Sequence, residues 1–129
     1  MAGLVLDAGA LVGIERREER VRYHLEAARR KGITTPIVPT AVLAEVWRDI
    51  PRQASLNQFL KGCIPVPLDE ESARGAGLLL ARTGGSNVID AVVVEVAART
   101  QSAILTSDPD DLKVLAEVAG LPDDYILEL

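Results

Sequence analysis

The sequence is poor in the residues that most cofactor and nucleophile chemistry requires. Among 129 residues there is one cysteine, Cys63, and one histidine, His24, and aromatics amount to 3%. A single cysteine excludes an intrachain disulfide and any thiolate zinc cluster. His24 lies in the charged stretch Glu15 to Lys31, where a solvated or partly packed ring is the simplest reading, so no serine or cysteine triad can be assembled around it. No G-x-x-x-x-G-K-[ST] occurs, which removes the commonest phosphate loop. Apolar runs are short, and Met1 to Ile14, interrupted by Asp7 and without a basic leader, reads as neither signal peptide nor membrane span. Cytoplasm is the expected location.

What is present is aliphatic. Hydrophobic residues make up 48% of the chain, mostly Ala, Val and Leu, enough to bury a core in one domain over residues 1–129. The net charge of −5 comes from 19 acidic and 14 basic residues, which argues against a surface that coats nucleic acid without discrimination. Setting four acids aside as metal ligands leaves 15 against 14, so the remaining surface is nearly neutral and a local basic patch is compatible with it. Arg16, Arg17, Arg20, Arg22, Arg29, Arg30 and Lys31 are the candidates. Their plainer reading is a solvated helix face paired with Glu15, Glu18 and Glu19.

Short β-rich runs at Leu4–Leu6, Ile33–Val38, Cys63–Val66, Ala103–Thr106 and Tyr125–Leu127 alternate with helical segments. The helices are expected at about Glu15–Lys31, Thr40–Ile50, Arg52–Lys61, Asp69–Thr83, Asn87–Arg99 and Asp110–Ala119. Thr40, Asp69 and Asn87 read as N-caps, and Pro109 as a first-turn proline. Such alternation predicts an α/β fold with a central, mostly parallel sheet of about five strands, and ligand sites beyond the carboxyl ends of those strands.

Four acids stand out, each with an ordinary structural alternative that is weakest for Asp7 and Asp90. Asp7 ends the buried run L-V-L and is followed by the small residues Ala8, Gly9 and Ala10, which leave room around its carboxylate; a turn or cap role is the alternative. Glu45 sits in T-A-V-L-A-E-V-W-R on a core-facing helix, where it would otherwise be a surface charge near Arg48. Trp47 on that helix reads as core. Asp90 belongs to V-I-D-A-V-V-V-E-V-A, apolar nearly all round, where a carboxylate without a cation costs several kcal/mol; complementing the positive helix end is its structural alternative. Asp108 opens D-P-D-D-L, where capping explains one acid but not three, and Asp110 and Asp111 are dipole partners or additional ligands. Oxygen-only donors suit hard cations, so these acids point to Mg²⁺ or Mn²⁺ activating water for in-line attack on a phosphodiester. Thr106 and Ser107 hydroxyls are placed to orient a ligand.

With V-L-D-A-G-A-L around Asp7, A-E-V around Glu45, N-V-I-D-A-V-V-V-E-V-A around Asp90 and I-L-T-S-D ending at Asp108, the chain resembles PIN-domain ribonucleases over essentially its whole length. More narrowly, it resembles the VapC-type toxins of type II toxin–antitoxin pairs. Each motif is weak alone; their order and spacing are specific. The resemblance implies a three-layer α/β/α sandwich, endonucleolytic cleavage of RNA with Mg²⁺ or Mn²⁺, and Asp7, Glu45, Asp90 and Asp108 as metal-binding catalytic residues. It also implies a homodimer, inhibition of translation and growth, and a VapB-type antitoxin partner whose C-terminal segment can bring a basic residue to the acidic pocket. Many relatives carry an aromatic shortly after the fourth acid, whereas P-D-D-L follows Asp108 here. Two other classes compete. A phosphoacceptor receiver would need adjacent acids after an early strand and a lysine ending a late one, and a catalytically silent binding module would not need all four acids.

Overall fold

The computed structural model describes all of Met1–Leu129. Its five strands are β1 (Gly3–Leu6), β2 (Ile37–Pro39), β3 (Ile64–Val66), β4 (Ser102–Thr106) and β5 (Ile126–Glu128). They form one sheet in the order β3-β2-β1-β4-β5, with every pairing parallel. The helices are α1 (Ala8–Glu15), α2 (Glu19–Arg30), α3 (Thr40–Val46), α4 (Ala54–Leu60), α5 (Glu70–Thr83), α6 (Val88–Thr100) and α7 (Pro109–Ala119). The result is the expected three-layer α/β/α sandwich around a central parallel sheet of five strands. β1 and β4 are buried along their full length, as expected of inner parallel strands covered on both faces. β3, which carries Pro65, and β5 are the edges, where a missing N–H or a short ladder is tolerated.

The register positions the site. Leu6 pairs with Leu105, and the Asp7 N–H donates to the Leu105 carbonyl at 3.3 Å, so the chain leaves β1 and β4 side by side at their carboxyl ends. Asp7 and the segment Thr106–Asp108 thus emerge at one edge. α6 lies against β1 and β4 with Ala91, Val92, Val93, Val94, Val96 and Ala97 all buried, which accounts for its nearly continuous apolar sequence. No single helix is long and apolar enough to cross a membrane.

Four local expectations are corrected. The single helix expected from Glu15 to Lys31 is two: α1 begins directly after Asp7, and the chain breaks at Arg17, in left-handed backbone at φ 56°, before α2 starts. α1 is concealed in the sequence because it is apolar with two glycines and shows no amphipathic stripe. Thr40 does not cap α3; it is the first helical residue, and its hydroxyl accepts from the Leu68 N–H at 3.2 Å. α3 stops at Val46 rather than Ile50, because Trp47 turns to extended backbone. Finally, the arginine-rich stretch is not neutralised by its own glutamates. Only Arg20 pairs, with Glu18 at 3.2 Å, while Glu15 pairs with Arg52 at 3.6 Å.

Asp69 and Asn87 do cap their helices, accepting from the Ser72 and Asp90 N–H groups at 2.9 and 3.0 Å. Trp47 is half-buried against the core. Cys63 is half-buried beside β3, and burial pushes its thiol up to about 11, so it carries little thiolate at neutral pH.

Candidate active site

Asp7 is where β1 becomes α1. Its extended backbone ends the strand, and its Oδ1 accepts from the Ala10 N–H at 3.0 Å, so the capping role is real. It does not exhaust the carboxylate. Desolvation by burial is the largest influence on Asp7 and raises its pKa above the usual range, against hydrogen bonds from the Thr106 hydroxyl and the Ala10 and Gly9 N–H groups. Asp108 raises it further. Gly9 permits this packing: a Cβ built there would stand 2.1 Å from Ser107 Oγ and 2.8 Å from Ser107 Cβ.

Asp108 occupies the N-cap position of α7 but makes no capping bond with its side chain. Its backbone N–H donates to the fully buried Thr106 Oγ1 at 2.9 Å, which fixes the turn and leaves the Asp108 carboxylate exposed. Glu45 is exposed in the last turn of α3 and makes no ion pair. Arg48, its nearest basic neighbour in sequence, donates to the carbonyls of Ala44 and Trp47 at 3.3 and 2.7 Å instead.

Asp90 is the third residue of α6. Its pKa is pushed up to about 6, first by burial and then by repulsion from Asp111, Asp7, Glu45 and Asp108 in that order. Four carboxylates from three separate parts of the chain therefore act on a fifth. The same set lines one cavity of about 160 Å³, with Ala8, Gly9, Asn87, Ile89, Val93 and Thr106 forming the rest of its wall. No lysine, arginine or histidine faces it.

All four sequence-predicted acids are thus brought together, and Asp111 joins them. The sequence signal for Asp111 was its helix position. Asp111 is the third residue of α7, as Asp90 is of α6, and side chains in a first turn lean back toward the helix N-terminus. Asp110 turns outward and pairs with Lys113 at 3.0 Å. Asn87, read only as a cap, also lines the pocket and a second, more open cavity of about 420 Å³ that shares Asp90 and Asp111 with it and runs between α5 and α7.

The carboxylates surround the cavity rather than meeting at a point, and no three of them are placed to hold an ion directly. This spacing fits a hydrated hard cation. Mg²⁺ keeps several of its waters and is bound through one or two carboxylates, with other acids reached through water. The donor chemistry agrees: oxygen ligands only, two acids with raised pKa values, and no protein cation to neutralise them.

An all-parallel sheet with an acidic cavity at the carboxyl ends of its central strands defines a class, the open α/β domains whose ligand site lies at that strand edge. Within that class the chain belongs to the PIN-domain family, whose model matches residues 4–120; PIN domains are generally nucleases. In structure it is similar to a toxin–antitoxin complex from Klebsiella pneumoniae, with a TM-score of 0.71 and 15% identity over 93% of each chain. It is also similar to VapBC2 from Rickettsia felis, solved bound to a DNA fragment from their promoter. That match has a TM-score of 0.71 and 19% identity over 98% of this chain and 97% of the other. Such identities establish a shared fold. No curated protein sequence matches the chain.

Proposed function

We propose that the chain is a metal-dependent endoribonuclease, active as one nuclease domain over residues 1–129, and the VapC-type toxin of a VapBC-type pair that inhibits translation and growth. The observation that carries this reading is the convergence of Asp7, Glu45, Asp90, Asp108 and Asp111 on one small cavity without a protein cation. Carboxylates that repel one another at a desolvated site need a counter-charge, and a divalent ion is the compact one.

Mg²⁺, with Mn²⁺ as substitute, would be held by Asp7 and Asp90, with Glu45, Asp108 and Asp111 completing its surroundings through water. When bound, the ion supplies Lewis acidity for in-line hydrolysis of a phosphodiester. The protein's own contribution is placement. Asp7 is fixed by its bond to the Ala10 N–H, Asp108 by the Thr106 hydroxyl, and Asp90 by the Asn87 cap at its own N–H. The open cavity beside Asp90 and Asp111 offers the RNA strand a route past the carboxylates. The VapBC assignment and its VapB-type antitoxin draw support from the two structural neighbours, both toxin–antitoxin complexes; the homodimer is proposed on the family resemblance alone.

The test is cleavage of RNA by purified protein with Mg²⁺ or Mn²⁺. Asp7→Asn and Asp90→Asn are expected to lose at least about 100-fold in rate while retaining the wild-type fold by circular dichroism, since each removes a group that positions the ion. A folded Asp90→Asn variant with undiminished cleavage would reduce Asp90 to a helix-end charge and sink the metal-site reading.

A further inference from the structure

Glu45 presents a problem of placement. It is exposed, accepts no hydrogen bond and makes no ion pair, so nothing holds its side chain except the backbone of α3. That helix has seven residues and no side-chain cap at its N-terminus, too short to stand by its own hydrogen bonds. Buried Val42 and the Thr40–Leu68 bond hold its body, and a further anchor lies at its other end. Gln53, with 2% of its surface exposed, accepts from the Arg48 N–H at 2.9 Å through its amide oxygen. Through its amide nitrogen it donates to the Val46 carbonyl at 2.9 Å and to Glu15 Oε1 at 2.8 Å.

Val46 follows Glu45 directly and ends α3, and Glu15 ends α1, whose N-cap is Asp7. One buried amide therefore joins the C-termini of the two helices that carry Asp7 and Glu45, and those helices also pack on each other. α1 spans about 12 Å at 1.5 Å per residue and acts as a rigid spacer over that length. The side-chain amide is the group the junction requires, an acceptor for one N–H and donors for a carbonyl and a carboxylate.

We propose that Gln53 is a positioning residue for the acidic pocket, setting the separation of Glu45 from Asp7 through α3 and α1, and so setting metal affinity from outside the cavity. The inference rests on the metal-site reading above. It goes beyond that reading in placing part of the site's control in a residue that touches neither metal nor substrate.

The experiment is a double-mutant cycle read by calorimetric Mn²⁺ binding to the full chain, with wild type, Glu45→Gln, Gln53→Glu and the double variant. Gln53→Glu keeps the size and the acceptor for Arg48 but sets an anion against Glu15 and the Val46 carbonyl. It is expected to weaken Mn²⁺ binding about 10-fold, as loss of groups that orient metal ligands does. In the Glu45→Gln background the same change should cost nothing further, because its effect acts through Glu45. Glu15→Ala, which removes the α1 link together with the Arg52 ion pair, provides a second cycle with a smaller loss and the same coupling should Gln53→Glu fail to fold. Additive losses, or folded variants that bind Mn²⁺ like wild type, overturn the positioning role. Failure of wild type to bind Mn²⁺ would instead bring down the metal site on which it depends.

Discussion

Gly9 and Asp90 show at the residue scale how the pocket trades stability for charge. In most helices replacing glycine by alanine gains up to about 1 kcal/mol of backbone entropy and propensity. At Gly9 the added methyl would meet Ser107 at 2.1 Å, so overpacking wins. Gly9→Ala is expected to cost about 1–3 kcal/mol in chemical denaturation and to lower cleavage, by separating Asp7 from Asp108. Ser107→Gly in the same chain should restore part of both, and a Gly9→Ala variant more stable than wild type would contradict the close approach.

Asp90 has a pH signature. Its proton is held to about pH 6 in the folded chain against 3.8 for the free side chain, so between those values the folded state binds more proton than the unfolded one. Stability of the metal-free protein therefore falls as pH rises through that window. The carboxylate is only partly buried, and solvent screening reduces the effect to about 1 kcal/mol. Asp90→Asn should accordingly raise the metal-free Tm at pH 7 by about 3 °C while removing cleavage. A drop in Tm would mean that its interaction with the helix end outweighs the repulsion.

At the scale of elements, the parts legible in the sequence were those whose cause is local. Asp69 and Asn87 announce α5 and α6 because an N-cap is a short-range bond, and β1 and β4 announce themselves because inner parallel strands are apolar on both faces. α1 did not, since a buried helix of small residues has no polar face to set a period. The end of α3 was misread because the group that stops it, Gln53, lies seven residues beyond Val46 and acts through tertiary contact. Among the acids, Asp90 was legible from its apolar surroundings, whereas Asp111 was obscured by Asp110, its neighbour with an ordinary surface partner. The cap at α6 is testable at this scale. Asn87→Ala should lower stability by about 1 kcal/mol by denaturant unfolding, the usual worth of such a cap. It should also weaken Mn²⁺ binding, since the Asp90 backbone loses its anchor; unchanged Mn²⁺ affinity would show that α6 holds Asp90 without it.

Over the whole molecule, charge is divided rather than blended. The five carboxylates gather at the carboxyl edge of the sheet, where α1 begins, while Arg16 and Arg17 follow its other end and lead into α2 with Arg22, Arg29 and Arg30, none of them ion-paired. A divalent ion at the pocket would offset the charge that otherwise repels a phosphate backbone, and binding it should stabilise the fold by about 2.7 kcal/mol at 100 times its dissociation constant. The most direct measurement of the central claim is RNA cleavage by protein stripped with chelator, assayed before and after Mg²⁺ is restored. The account predicts no cleavage without the ion and recovery on its return, in wild type but not in Asp7→Asn. Undiminished cleavage by the stripped protein would contradict it.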